Sequence, residues 1–164
     1  MEEKFADKIE TKSLRGHWRG IFDFVKFIII TALIVIPVRL WIAQPFLVSG
    51  ASMEPTFNNG NYLIIDELSY HLRKPKKNEV VVFRYPNDPS KFFIKRIAGA
   101  PGETVVVQGR ETILKDDEYY VLGDNRGASS DSRTWGPVRE KLIIGRTLVR
   151  LWPFGKIELF PGYK

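Results

Sequence analysis

Hydrophobic residues follow two patterns along the chain, and the change between them lies near residue 44. Residues 21–43 are almost continuously apolar, whereas residues 44–164 hold short apolar runs separated by glycine, proline and asparagine. A continuous apolar segment is typical of a buried or membrane-spanning helix, and short runs between turn residues are typical of strands. The sequence therefore predicts one N-terminal apolar helix followed by a β domain.

The apolar segment has the length and the flanking residues of a transmembrane helix. Phe24–Ile42 comprises 19 residues, about 28 Å as a helix and close to the ~30 Å of a bilayer core. Its charged residues, Lys26 and Arg39, lie near its ends, and Trp41 stands where interfacial aromatic residues are common. We therefore expect a retained anchor. A soluble core helix and a cleaved signal peptide are the alternatives, because the uncharged run Phe27–Val38 has only 12 residues.

Basic residues are concentrated before the apolar segment. Five lysines and arginines precede it, and after Arg39 the next basic residue is Arg73. The positive-inside rule then predicts that the N-terminus stays in the cytoplasm and that the rest of the chain is extracytoplasmic. We divide the chain accordingly into a cytoplasmic segment at 1–20, a transmembrane anchor at 21–43 and an extracytoplasmic domain at 44–164.

The extracytoplasmic part contains enough strand signals for a mostly β domain. About 120 residues can bury a core without disulfides, and helical periodicity is weak beyond residue 45. The expected fold is a compact antiparallel sheet or barrel. The predicted strands are Tyr62–Ile65, Val80–Tyr85, Phe92–Ile97, Thr104–Gln108, Glu111–Leu114, Tyr119–Leu122 and Leu142–Leu151.

Composition excludes several kinds of chemistry. The chain has no cysteine, which rules out disulfides, thiolate metal sites and cysteine nucleophiles. Its net charge of +6 is compatible with anionic lipid or nucleic acid. The basic residues do not alternate with aromatic residues in a groove pattern, so we expect no nucleic-acid partner.

A hydroxyl nucleophile needs a base, and histidine is poorly placed to supply one. By the predicted topology His17 lies in the cytoplasm, and His71 precedes a basic run typical of a solvated loop. Lysine is the remaining base. Lys95 lies among aromatic and β-branched residues of a predicted strand, and its pKa is lowered if its side chain faces the core. A shift of about three units would make it a competent base near pH 7. Strand alternation also predicts that Lys95 and Arg96 point to opposite faces.

The matching nucleophile candidate is Ser52, in the segment Ser49–Thr56. Small residues precede it, so that a substrate backbone can approach, and its own N–H can stabilise the oxyanion. A third segment, Gly123–Arg133, is dense in hydrogen-bonding groups. Its acidic residues are of the type that binds calcium. Their spacing does not fit an EF-hand, however, and we expect no metal.

The anchor and three segments, in the order Ser49–Thr56, Phe92–Gly102 with its Lys-Arg-Ile-x-Gly-x-Pro-Gly motif, and Gly123–Arg133, resemble bacterial type I signal peptidases. The match extends to about Gly145. The resemblance implies a β fold shared with self-cleaving SOS repressors, a site in the bacterial plasma membrane, and no cofactor. It implies that Ser52 is the nucleophile and Lys95 the general base. It further implies support from Ser129, which would orient the lysine ammonium, from an Asp131–Arg133 ion pair, and from Asp124.

Gly50 is a departure from some members of that family. They carry a serine two residues before the nucleophile, whose hydroxyl helps to stabilise the oxyanion, while other members also have glycine there. The resemblance implies a membrane-anchored peptidase that removes the signal peptides of secreted precursors by cutting after an Ala-x-Ala sequence. The alternatives are a self-cleaving serine–lysine regulatory protease and an inactive anchored scaffold. The anchor argues against the first alternative, and the presence of both Ser52 and Lys95 against the second.

Overall fold

The structure is a computed structural model of the chain, and it describes residues 20–33, 35–36 and 44–163. The chain divides into two units, Met1–Leu40 and Trp41–Lys164. In the first unit, residues 20–33 and 35–36 are helical (α1). None of the helices within the described residues combines the length and the hydropathy needed to cross a bilayer. The predicted segments 1–20 and 21–43 lie partly outside the described residues.

The second unit is built mainly from antiparallel strands, which confirms the mostly β prediction. Two short helices interrupt them, α2 at Leu68–Leu72 and α3 at Ser132–Trp135. The strands are β1 Gln44–Leu47, β2 Tyr62–Asp66, β3 Val80–Tyr85, β4 Asp88–Gly99, β5 Thr104–Val107, β6 Arg110–Ile113, β7 Glu118–Leu122, β8 Val138–Arg139, β9 Ile143–Trp152 and β10 Glu158–Leu159.

The main sheet runs in the order β1-β2-β9-β3-β4-β7-β8, with β10 added to β9, and β5 and β6 form a separate hairpin. Each of the seven predicted strands exists, with ends that differ by up to four residues. The pattern missed β1, which continues directly from the apolar segment, and the two-residue strands β8 and β10. Strands this short leave too few positions for an alternation to be recognised.

Strand β3 is buried on both faces and divides the core. Val80 and Val82 belong to one hydrophobic cluster, with Met53, Phe57, Leu63 and Ile65. Val81 and Phe83 belong to the cluster on the other face, with Ile97, Tyr119, Val121 and Val138. A strand covered on both sides has a continuous apolar run instead of an alternating one. Strand β4 lies beside this rigid centre, which holds its residues in a fixed register.

Gly145 permits the close approach of β9 to β2. A Cβ at this position would lie 2.5 Å from the Asp66 carbonyl oxygen and 2.7 Å from Ile65 Cγ2. Backbone atoms so close cannot move aside without distorting the pairing of the two strands.

We therefore expect Gly145→Ala to lower the free energy of unfolding by about 1–3 kcal/mol. The measurement is urea unfolding of the full chain. Gly155→Ala is the matched control, because a Cβ at Gly155 would meet open space, and it should change stability by less than about 0.5 kcal/mol. Equal effects of the two substitutions would contradict the steric explanation.

Candidate active site

Ser52 lies in a tight turn between β1 and β2 that is anchored by buried neighbours. Met53 and Phe57, which both follow Ser52, are fully enclosed in the hydrophobic core. The Glu54 N–H donates to the Ala51 carbonyl, and the Phe57 N–H donates to the Met53 carbonyl at 2.9 Å. The hydrogen bonds of the turn and the buried residues that follow Ser52 therefore fix its backbone, while its side chain lines a groove.

Lys95 lies on β4 with only 4% of its surface exposed. Its Nζ donates to Ser52 Oγ at 2.7 Å and to the Ile94 carbonyl at 2.8 Å. It also lies 5.4 Å from the centre of the Phe93 ring. The strand thus buries the amine and directs it at the hydroxyl. A proton could pass between these two atoms without any movement of the backbone.

The environment of Lys95 favours its uncharged form. Burial lowers the pKa of the Lys95 amine from 10.5 to about 8, although the negative charge of Asp131 opposes the shift. With a pKa near 8, about one amine in eleven is neutral at pH 7, against about three in ten thousand at the ordinary value. The buried position therefore makes the lysine usable as a base near neutral pH.

The loop after β7 contacts the backbone of Ser52 directly. The Asn125 N–H donates to the Ser52 carbonyl at 3.0 Å. Gly123 lies so close that a Cβ there would approach the Ser52 carbonyl to 2.5 Å and Ser129 Oγ to 2.2 Å. Only a residue without a side chain fits at this point, so the loop and the nucleophile turn are held as one unit.

Asp131 and Arg133 form the ion pair that the sequence suggested. Arg133 Nε and Nη2 donate to the two oxygens of Asp131 at 2.8 and 2.9 Å, and the Gly123 N–H donates to Asp131 Oδ2 at 3.0 Å. Asp131 is fully buried. Burial alone would raise the pKa of Asp131, but the hydrogen bonds from Arg133 and Gly123 outweigh it and lower the pKa. Asp131 therefore stays charged and ties the start of α3 to the end of β7.

The structure differs from the expectation at Ser129. We expected its hydroxyl to orient the Lys95 ammonium, but Lys95 Nζ is held by Ser52 Oγ and the Ile94 carbonyl. Ser129 Oγ is buried beside Gly123, without a partner that satisfies hydrogen-bond geometry. It lies near enough to Asp131 to help lower the pKa of that carboxyl group. In this structure, therefore, Ser129 Oγ makes no hydrogen bond to the Lys95 amine.

Arg96 is the main site residue whose role the sequence analysis missed. Its Nε and Nη2 donate to the two oxygens of Asp124 at 2.8 and 2.7 Å, and its Nη1 donates to the Asn78 and Gly162 carbonyls. Thr56 Oγ1 donates to the same carboxylate at 2.5 Å. The alternation of side chains along a strand predicted that Arg96 points to the face opposite Lys95, and the structure confirms this. The alternation could not identify Asp124 as the partner of Arg96.

A groove of about 520 Å³ passes over the Ser52 hydroxyl. One wall is β1 with the segment Ser49–Ala51, and the other is residues 91–95 of β4. Along this part of β4, the described residues pair only with β3, because pairing with β7 begins at Arg96. The groove therefore has an open strand edge beside the nucleophile candidate.

The two histidines were the other candidate bases in the sequence. His71 is on α2, beside a different pocket with Glu67 and Glu140, and His17 is outside the described residues. Among the described ranges, no three histidine, aspartate or glutamate side chains are grouped so that they could hold a metal ion.

Comparisons with known proteins identify the family. The model of the family "Signal peptidase, peptidase S26" matches residues 21–114 and 107–152. A probable signal peptidase I-2 from Synechocystis sp. is 36% identical, with 82% of this chain and 74% of the relative covered. A signal peptidase I from Leptolyngbya laminosa is 31% identical over 86% of this chain and 85% of its own length. Mitochondrial inner membrane protease subunit 1 of Xenopus tropicalis is 36% identical over 74% of this chain and 78% of its own.

The matched model spans both the groove segments and the loop after β7, and the relatives are covered over most of their length. The chain therefore belongs to the signal peptidase family, peptidase S26, and is a serine-type signal peptidase.

Proposed function

We propose that this peptidase is anchored in the membrane and cuts precursors after an Ala-x-Ala sequence with a Ser52–Lys95 dyad. The observation that carries the proposal is the 2.7 Å contact between a buried lysine amine and the Ser52 hydroxyl. The lowered pKa of that amine supports the same roles. The proposed location is the bacterial plasma membrane, with the catalytic domain on its outer side.

In the first half of the reaction, neutral Lys95 Nζ takes the proton of Ser52 as Oγ attacks the scissile carbonyl. The Oγ–C bond forms and the carbonyl oxygen becomes negative, where the Ser52 N–H can donate to it. Collapse of this intermediate breaks the C–N bond. Lys95 gives its proton to the leaving nitrogen, and the mature protein departs with a new N-terminus, which leaves the signal peptide as an ester on Ser52.

In the second half, neutral Lys95 takes a proton from water as that water attacks the ester. When the resulting intermediate collapses, the bond between the carbonyl carbon and Ser52 Oγ breaks. Lys95 returns the proton to Oγ, and the signal peptide leaves with a free carboxylate. The Lys95 amine can act in both halves of the reaction, because each half returns it to its neutral form. The scheme requires no cofactor.

The groove supports recognition of an extended substrate. A precursor segment can pair with the open edge of β4 at residues 91–95, which gives recognition through the backbone and leaves side chains in alternate pockets. The pocket beside Ser52 is lined by Val82, Ile94 and Leu63. An apolar lining favours small uncharged substrate residues such as alanine, at the alternating positions of a strand that face it.

An exposed apolar row beside the groove supports contact with the bilayer. Leu47, Tyr62 and Trp152 are paired across β1, β2 and β9, which places their side chains on one face. All three are exposed, and Phe154 packs 4.8 Å from Trp152. We call these four residues the apolar row. Exposed apolar residues of this kind, next to a groove for a membrane-held substrate, fit a lipid surface.

The apolar composition of the N-terminal segment supports the anchor. The α1 side chains at positions such as Phe22 and Leu33 are exposed, as lipid-facing side chains would be. Anchoring would hold enzyme and precursor in one membrane and raise their effective concentration.

Loss of either dyad residue should abolish cleavage. We expect Ser52→Ala and Lys95→Ala each to reduce cleavage of an Ala-x-Ala precursor by at least about 1,000-fold, because one removes the nucleophile and the other its base. The measurement is product formation by the purified full chain in detergent. Lys115→Ala, at an exposed position that does not line the groove, is the control. Turnover retained in either dyad variant would refute the assignment.

The rate should rise with pH up to about 8 and then level off. Burial lowers the pKa of Lys95 to about 8, and only the uncharged amine can accept the serine proton. Below that pH the rate should fall about tenfold for each pH unit. The measurement is kcat/KM for a peptide substrate from pH 5 to 10. A profile that stays flat between pH 5 and 8 would contradict the role of Lys95 as the base.

The apolar row should matter only for substrates in a bilayer. We expect Trp152→Ala combined with Phe154→Ala to slow cleavage of a vesicle-embedded precursor by about five- to tenfold, because apolar contact with lipid is lost. Cleavage of a soluble peptide that spans the cut site should change less than twofold. The control is Leu72→Ala, an exposed apolar residue on α2. Equal losses on both substrates would show damage to the site itself.

A further inference from the structure

The strand-like segment that leads to the nucleophile is held by the turn before β2. The Val48 N–H donates to the Asn61 carbonyl at 2.9 Å, and the Gly60 N–H donates to the Val48 carbonyl at 2.9 Å. Asn61 is buried, and its Oδ1 accepts from the Asn58 N–H at 3.2 Å, which closes the turn on itself. The turn at 58–61 is therefore ordered and pairs with both backbone groups of Val48.

After Val48, the turn contacts the segment through a side chain and no longer through its backbone. The Gly50 N–H donates to Asn59 Oδ1 at 2.9 Å. The turn thus engages residues 48 and 50 on one side of the segment and leaves Ser49 between them, in the groove wall. Asn59 is the last contact of the turn with this segment before Ser52, which follows Gly50 by two residues.

Gly50 needs such a contact because of its own conformation. Its φ is +91°, in the region that favours glycine, and a Cβ there would meet nothing within 4 Å. The position is thus free of crowding, and a glycine in open space can adopt many backbone conformations. A hydrogen bond at its N–H restricts that freedom next to the nucleophile.

We propose that Asn59 is a positioning residue for catalysis, whose side-chain oxygen fixes the Gly50 backbone and thereby the placement of Ser52 Oγ opposite Lys95. The inference rests on the proposed dyad, since it matters only if Ser52 is the nucleophile. Asn59 makes no contact with the reacting atoms. It acts by keeping Gly50 in one conformation, so that the 2.7 Å contact between Lys95 and Ser52 persists during attack.

The test compares three variants of the full chain in detergent. Asn59→Ala removes the acceptor, Asn59→Asp keeps an oxygen at the same place, and Asn58→Ala changes the neighbouring exposed side chain. The first readout is hydrogen exchange at the Gly50 amide, which needs no activity. The second is the single-turnover rate of acylation by a peptide substrate, measured together with its binding affinity.

We expect Asn59→Ala to speed Gly50 exchange and to slow acylation by about three- to tenfold, the range for loss of one hydrogen bond. Peptide affinity should change less than about twofold, since the groove walls remain. Asn59→Asp should restore both the exchange and the rate, and Asn58→Ala should change neither.

The inference is overturned if Gly50 exchange is the same in Asn59→Ala and the unmodified chain. It is also overturned if acylation changes less than about twofold in Asn59→Ala, if Asn59→Asp is as slow as Asn59→Ala, or if Asn58→Ala causes an equal loss. Failure of the proposed dyad has a different signature, because Ser52→Ala would then keep its activity while the exchange measurement still tests the Asn59 contact.

Discussion

The site depends on one unfavourable arrangement, a lysine amine kept away from water. A charged amine is well hydrated in solvent, and burial on β4 removes that hydration, so the folded chain favours the neutral form of Lys95. The same burial that leaves a usable fraction of the amine uncharged near neutral pH also works against folding at pH values where the amine is charged. The rigid sheet around β3 is what sustains this arrangement.

The alternation of β4 assigns different tasks to two neighbouring cations. Lys95 faces the hydroxyl, while Arg96 faces Asp124 and remains fully paired. Arginine stays charged in proteins, and its planar group matches a carboxylate, so it suits a permanent structural contact. Lysine loses its charge more readily on burial, which suits a proton carrier. Exchanging the two residue types would leave neither contact intact.

The loop after β7 joins these two neighbours to the nucleophile. Asp124 is held by Arg96 and Thr56, and Asp131 by Arg133 and the Gly123 N–H. Between these two carboxylates, the Asn125 N–H binds the Ser52 carbonyl. Both acids are paired with a guanidinium, and the negative charge of Asp131 still acts on Lys95. Asp131 partly opposes the lowered pKa of Lys95 and so limits how far it falls.

Local sequence determined seven of the ten strands of the described residues, the segments that carry the chemistry, and the opposite directions of Lys95 and Arg96. These features depend on residues next to one another, where backbone geometry alone sets which way a side chain points. Tertiary structure alone decided the order of the strands, the partner of Arg96, and the contact between the turn at 58–61 and Gly50. The two contacts of Asp124 join it to Arg96, 28 positions away, and to Thr56, 68 positions away. Such contacts arise only when distant strands pack together, and no spacing along the chain specifies which distant groups then meet.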